Sequence, residues 1–331
     1  MNKQIRTGVI GVGNMGQHHA RVCATIPGSK LVGVADIDRH RAETIAGRYG
    51  VEAYTDYRAL LDQVDAVCIA SPTASHHEIG LASLEHGVHV LIEKPLASTL
   101  EAARDLTERA RQLGLVLQVG HVERFNPTFV ELMNVLSDHH ILGLDARRLS
   151  PFATRAADVS VVFDLMVHDL DLIMTLVGAP LRSVQAIGGR LRSPQLDHVM
   201  AILNFVNGPV ASVTASKVTQ HKVRQLSVTT ADAYVVADFL ARTVMIYRQS
   251  AADYFAQRGE VLYRQEGLIE QVYVPPVEPL YAEIQHFLAC VRDGCTPQVG
   301  GEDALRVMAV AERIEAQVIA SLTEQPVGTL P

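Results

Sequence analysis

Lys94 closes the run Val88-His-Val-Leu-Ile-Glu-Lys-Pro95, where apolar residues give way abruptly to a carboxylate, an ammonium and a proline. A run rich in Val, Leu and Ile reads as a buried parallel strand, and open α/β sheets bind ligands just beyond the carboxyl ends of such strands. Pro95 fixes its own φ and biases Lys94 toward extended geometry, so the ammonium is held where chemistry would be done. A second reactive pattern is Asp164-Leu-Met-Val-His168-Asp-Leu-Asp171. On a regular helix, this spacing stacks Asp164, His168 and Asp171 on one face, a row that orients an imidazole and favours its taking up a proton. Lysine and histidine together supply a charge stabiliser and a general base for a reacting hydroxyl. The residues alone leave open which group plays which part, since burial beside a cofactor also favours a neutral amine.

Such groups need a reaction partner, and the N-terminus supplies a place for one. Thr7-Gly-Val-Ile-Gly-Val-Gly-Asn-Met-Gly16 reads as a strand running into Gly11-x-Gly13-x-x-Gly16 and then a helix. In a dinucleotide fold the first glycine makes the tight turn, the second admits the pyrophosphate, and the third lets helix pack on strand. The helix N-terminus then offers free N–H groups and its positive dipole end to the phosphates. Leu31-Val-Gly-Val-Ala35 forms a second strand ending on Asp36, 25 positions after Gly11. A carboxylate there can hold the adenosine ribose hydroxyls and repel a 2′-phosphate, which favours NAD over NADP. Arg39 and Arg41 lie close behind it, and a simple helix cap is the alternative role for Asp36.

The elements that must position these groups follow in order. Asp38 to Tyr49 reads as a helix, as does Tyr57 to Leu61 opened by Asp56. Asp65 to Ala70 is a buried strand emptying into Ser71-Pro72-Thr73, at the same carboxyl edge as Gly11 and Lys94. A helix runs from Ser75 to Glu85; Ser98-x-x-Glu101 reads as a capping box opening a helix that ends at Gly114, and Leu115 to Val119 is the next strand. Strands alternating with helices predict a doubly wound parallel α/β sheet over residues 1–121. Beyond it, Pro127 to Leu136 and Leu165 to Val177 look helical, while much of Leu142 to Pro275 alternates like antiparallel strands. Leu280 to Val291 and Asp303 to Leu322 return to helical periodicity. An α+β domain over 122–331, built on a large open, mostly antiparallel sheet, is therefore expected. Its uncovered face predicts a homo-oligomer, a dimer or tetramer.

Composition sets limits. A chain of 331 residues with 48% hydrophobic and 20% charged residues can bury large cores. A net charge of −7, with no lysine or arginine run, argues against a nucleic-acid partner. The uncharged run Val199 to Ser216 is divided by Asn207-Gly208-Pro209, so a hairpin rather than a membrane span is expected. Cys23, Cys68, Cys290 and Cys295 match neither a zinc site nor a secreted disulfide framework, the paired histidines lack metal-ligand spacing, and no export signal is read. These features predict reduced thiols, no metal and a cytoplasmic location.

Taken together, Gly11-x-Gly13-x-x-Gly16, Ser71-Pro-Thr-x-x-His76, Glu93-Lys-Pro95, Gly120-x-x-x-Arg124-Phe-x-Pro127 and Asp164-x-x-x-His168-x-x-Asp171 resemble the glucose–fructose oxidoreductase, inositol dehydrogenase and MocA family, in order and in spacing. The resemblance implies a Rossmann domain, an oligomerising C-terminal sheet and NAD(P)-dependent oxidation of a sugar or cyclitol hydroxyl. It makes Lys94 the catalytic lysine, His168 the proton-transfer histidine and Asp164 the residue that positions substrate or histidine. It further implies that Gly11, Gly13, Asn14, Met15, Gly16, Asp36, Ser71, Pro72, Thr73, His76, Glu93, Lys94 and His121 hold the dinucleotide. Lys94, His121, Arg124, Arg155, Asp164 and His168 would hold the substrate. Within the family, the stretches Gly120 to Pro127 and Phe163 to Asp171 are similar to members acting on the 3-hydroxyl of UDP-linked N-acetylglucosamine, whose 3-keto product feeds an aminotransferase in lipid A-type amino-sugar synthesis. Asp164, where uronate-specific relatives carry asparagine, speaks against a UDP-sugar acid; Arg147, Arg148 and Arg155 are candidates for diphosphate contacts. A free-sugar or myo-inositol dehydrogenase is the catalytic alternative, and a non-catalytic NAD(H) sensor the alternative of another class.

Overall fold

The computed structural model describes residues 4–153, 158–206, 208–249, 253–257, 260–264 and 267–324. These form two compact units, one from the chain up to Phe125 together with Val277–Ala309, the other from Asn126–Pro276 and the chain from Val310.

In the first unit six parallel strands are ordered β3-β2-β1-β4-β5-β6: β1 Ile5–Ile10, β2 Ser29–Ala35, β3 Glu52–Tyr54, β4 Ala66–Ile69, β5 His89–Glu93 and β6 Leu117–Gly120. Continuous apolar runs become central strands here because both sheet faces are buried. Alternate residues feed two separate cores: Val67, Ile69, Val90 and Ile92 on one side, Ala66, Cys68 and Leu91 on the other. The strand order reverses between β1 and β4, which opens a crevice at their carboxyl ends.

The helices begin and end where local chemistry sets them. Asp38 caps α2 (Arg39–Tyr49) and Asp56 caps α3 (Tyr57–Leu61), each accepting a backbone N–H two or three residues on. For α5 (Leu100–Leu113) the cap is Thr99, accepting from Ala102 N–H, rather than the expected Ser98; the helix does end at Gly114, in the left-handed region at φ 65°.

The Val277–Ala309 segment was expected to belong to a continuous second domain, and it packs with the first unit instead. Its helix α8 (Pro279–Asp293) places Leu280, Ile284, Phe287 and Leu288 in the core that holds Leu91 and Val116. That burial covers a sheet face, and the backbone continues the work: Val119 N–H donates to Val299 O at 3.0 Å, and Gln118 bridges to Gly300.

Two imidazoles of this unit accept backbone N–H groups, His89 Nδ1 from Val116 and His286 Nε2 from Gln298. Burial holds both below the ordinary histidine value of 6.5. A group whose folded-state pKa is depressed contributes stability that is present above its unfolded value and lost as pH falls. Stability is therefore expected to decline as pH drops below 6.5, and His89→Gln, which can accept an N–H without titrating, should flatten the decline. Urea midpoints measured across pH check this; identical slopes for parent and variant would reject it.

The second unit carries an eight-stranded sheet ordered β16-β13-β12-β11-β7-β10-β9-β8, with β11 at Val223–Thr230 and β16 at Gly267–Val272, antiparallel except where β7 (Ile141–Leu149) runs parallel to β10 (Val210–Ser216). A separate pair, β14 (Asp253–Gln257) and β15 (Glu260–Arg264), is antiparallel. The expected hairpin joins β9 (His198–Phe205) to β10, with Val210 opposite Asn204. One sheet face is covered by α6 (Pro127–Leu136), against β12 (Tyr234–Asp238) and β13 (Thr243–Gln249), and by α7 (Val167–Val177), against β7 and β10. Side chains on β9 alternate accordingly: Val199, Ala201 and Leu203 are buried, Met200 and Ile202 about half exposed. Within this unit Gln317 of the last helix bonds β8 (Leu181–Gly189) through Ala186 N–H and Val184 C=O. Among the described residues no helix is long and apolar enough to cross a membrane.

Candidate active site

The glycine loop sits where β1 ends. Gly11 has φ 80° and passes so close to the β4 loop that a Cβ would lie 2.6 Å from Ser71 N; a Cβ on Gly16 would lie 1.7 Å from Gly11 O. Those two glycines are required by the chain's own packing. Gly13 differs, because no heavy atom lies within 4 Å of its would-be Cβ. A side chain there would instead fill the space in front of α1 (Gly16–Thr25), whose N-terminus has no side-chain cap. An open backbone cradle before uncapped N–H groups fits a dinucleotide pyrophosphate.

Asp36 is 8% exposed and ties the loop to β2, accepting N–H bonds from Val12 and Asp38 at 2.9 Å each. The capping role open to it from sequence belongs to Asp38. Arg41 Nη1 lies 3.4 Å from both Asp36 oxygens, so one of the nearby arginines partly offsets the charge of that carboxylate.

After β4, Ser71, Pro72 and Thr73 lead into a short helical turn in which the Ser75 hydroxyl donates to Ser71 Oγ and Pro72 O. The His76 ring, 1% exposed, lies 2.9 Å from the carbonyls of both Ser71 and Pro95. Expected among the cofactor contacts, it stands between the β4 and β5 loops and helps hold them in register.

Glu93, the last residue of β5, receives the His19 Nε2 contact at 2.8 Å and the Lys94 backbone N–H at 3.3 Å. Burial pushes its carboxyl up, but His19 and the Lys94 ammonium together outweigh that and hold it below the usual carboxylate range. Lys94 is half-buried beside it, with a cis peptide to Pro95. Gly120 makes the room: a Cβ there would lie 3.1 Å from Glu93 Oε2. His19 is fully buried. Sequence reasoning missed it, although its place three residues after Gly16 on the sheet-facing side of α1 was a usable signal. His121 is 3% exposed just past β6, and Arg124, expected to hold substrate, is 7% exposed with Nη2 3.8 Å from Asp303.

The second unit holds the other reactive group. The segment before α7 is not regular α-helix: Val162–Met166 forms a π turn, and α7 begins at Val167. The i, i+4, i+7 row expected from Asp164 assumes the α period, and a π turn carries more residues per turn than that. Asp164 meets Lys217 Nζ at 2.8 Å, and that ammonium also donates to Val159 O. His168 is half-buried in the first turn of α7, with Asp171, 1% exposed, one turn on. The adjacent Asp169 forms a two-point pair with Arg148, Nε and Nη2 each 2.9 Å from a carboxylate oxygen. Both side chains are 3% exposed, so Arg148, a candidate for diphosphate binding, is spent inside the fold. Arg147 pairs with Asp145 on the exposed face, and Arg155 lies outside the described residues. No group of three or more potential metal ligands occurs among the described residues.

Comparison with known proteins adds to this geometry. Residues 5–121 match the oxidoreductase family with an NAD-binding Rossmann fold, and residues 131–236 match the GFO/IDH/MocA C-terminal domain. The chain is 35% identical over 318 residues to UDP-N-acetylglucosamine 3-dehydrogenase of Acidithiobacillus ferrooxidans, spanning 96% of this chain and 98% of that one. A crystal form of that enzyme superposes with a TM-score of 0.86, covering 96% and 99% of the two chains. It is also 28% identical over 323 residues to the NAD-dependent scyllo-inositol 2-dehydrogenase of Bacillus subtilis, spanning 92% and 91%.

Proposed function

Since the chain belongs to the glucose–fructose oxidoreductase, inositol dehydrogenase and MocA family of NAD-binding oxidoreductases, we propose that it oxidises the 3-hydroxyl of UDP-N-acetylglucosamine to the 3-keto nucleotide sugar. The observation that carries the substrate is the 35% identity, spread over nearly the whole of both chains, to an enzyme named for that reaction. The inositol dehydrogenases are the alternatives within the same family.

NAD, when bound, would supply the hydride acceptor, and Gly13 and Asp36 would hold its pyrophosphate and its adenosine ribose. His168 accepts the proton of the reacting hydroxyl, and the Lys94 ammonium stabilises the developing alkoxide. Asp164 orients the substrate and is itself held by Lys217. Glu93 and His19 fix the Lys94 backbone and keep a negative charge beside its ammonium. The product is a ketone bearing an exchangeable α-proton, and it passes in the cytoplasm to an aminotransferase serving lipid A-type amino-sugar synthesis. A second copy of the chain covers the open sheet face carrying Ile187, Met200 and Ile202, giving a dimer or tetramer; Ile187 and Met200 are paired across strands and about half exposed or more, as an interface row would be.

The test is NADH formation with UDP-N-acetylglucosamine, UDP-glucose, a UDP-uronate and myo-inositol in parallel, with an aminotransferase present to trap ketone. UDP-N-acetylglucosamine should give the highest kcat/KM. Robust oxidation of myo-inositol with no response to any UDP-sugar would replace this substrate and leave the family untouched.

A further inference from the structure

The four cysteines form two pairs of different character. Cys23 and Cys68 lie with sulfurs 3.9 Å apart inside the first unit's core, both essentially inaccessible. Cys290 is buried in the last turn of α8, whereas Cys295 is exposed. Between them Gly294 takes φ 70° and donates its N–H to Cys290 O, which folds the chain back over the helix end. The two sulfurs meet at 2.9 Å. On the inner side His286 Nε2 lies 3.5 Å from Cys290 Sγ while accepting the Gln298 N–H at 2.9 Å, and Cys290 Sγ lies 3.8 Å from Thr296 O, so the buried sulfur is held facing Cys295. The chain that follows Cys295 is itself anchored, through Val299 O and Gly300, to β6.

We propose that Cys290 and Cys295 are a peroxide-responsive pair that closes reversibly to an intramolecular disulfide. The exposed Cys295 reacts first: its thiolate attacks one peroxide oxygen, the O–O bond breaks, and the other oxygen leaves as hydroxide, yielding a sulfenic acid. Cys290 Sγ then attacks the sulfenic sulfur and gives up its proton to the departing hydroxyl. The S–O bond breaks, and the hydroxyl leaves as water. Two thiols are oxidised and one peroxide is reduced to two waters. Burial, with the hydrogen bond to Cys295, pushes the Cys290 thiol up to about 12. That suits Cys290 to the second step rather than to first attack.

The experiment treats the full chain with dilute hydrogen peroxide, alkylates it under denaturing conditions, and maps the digest without reductant by mass spectrometry. A peptide linking Cys290 to Cys295 is expected, lost on adding dithiothreitol, while Cys23 and Cys68 remain alkylated. Cys295→Ser changes an exposed position and should leave Cys290 fully alkylated after the same treatment. Cys295 carried on to sulfinic acid with Cys290 still alkylated would overturn the proposal, as would a Cys295 disulfide between copies or oxidation confined to Cys23 and Cys68.

Discussion

Lys94→Ala is expected to lower kcat by roughly 100-fold or more while NAD still binds with near-parental affinity, because the ammonium stabilises charge that appears only as the hydroxyl is oxidised. In the proposed mechanism the ammonium at the carboxyl edge of β5 faces the reacting hydroxyl, and the Glu93–His19 pair keeps its backbone in place when the side chain is cut. Lys94→Arg separates the two roles a lysine can play. An arginine keeps the charge and cannot serve as a base, so partial recovery relative to alanine supports charge stabilisation. His168→Ala should cost a similar factor and should also remove the acidic limb from the pH dependence of kcat/KM, since the base must be unprotonated to act. Steady-state kinetics with a calorimetric NAD titration decide the matter. A Lys94→Ala enzyme turning over at the parental rate would sink the role, and one that had lost NAD affinity instead would make the lysine a cofactor ligand.

The second large effect is on stability. Arg148→Ala is expected to destabilise the second unit by about 3–5 kcal/mol, because it strands the Asp169 carboxylate at 3% exposure without its two-point partner. Replacing both members, Arg148→Met with Asp169→Leu, should recover most of that loss, since the cost comes from the unpaired charge more than from the missing attraction. Asp169 adjoins His168 on α7, so the single variant should also lose turnover as the helix start loosens. Urea unfolding of the three variants is the measurement. A parental midpoint for Arg148→Ala would show that the pair carries little of the fold's stability.

The parts of the site legible in the sequence are those whose geometry is set by near neighbours. Gly11 and Gly16 are fixed by contacts among the loop's own residues and the β4 end, and Asp36 and Lys94 are placed simply by being the residues at which strands stop. His19 with Glu93, Asp164 with Lys217 and Arg148 with Asp169 were not legible, because each joins elements far apart in the chain. No local pattern marks which buried charge answers which. The turn that carries Asp164 was not legible for a different reason: a period of 3.6 was assumed across a stretch that folds with a wider turn. Ser98 and Thr99 are equally good caps by chemistry, and only the course of the backbone selects Thr99. For the last segment, helical periodicity announced α8 but gave no sign of which sheet its apolar stripe would cover.

That last point bears on how the protein comes into being. Ile284 and Phe287 close a core whose other walls are Val9, Val34 and Leu91, laid down near the beginning of the chain. During synthesis, which proceeds from the N-terminus, the nucleotide-binding half must wait with that side uncovered until residues close to the end emerge, whereas most of the other unit is already complete. A nascent chain stalled before Pro279 would expose Leu91 and Val116 to solvent and to chaperones. The order in which the two halves become protease-resistant on the ribosome should thus run opposite to their order in the gene.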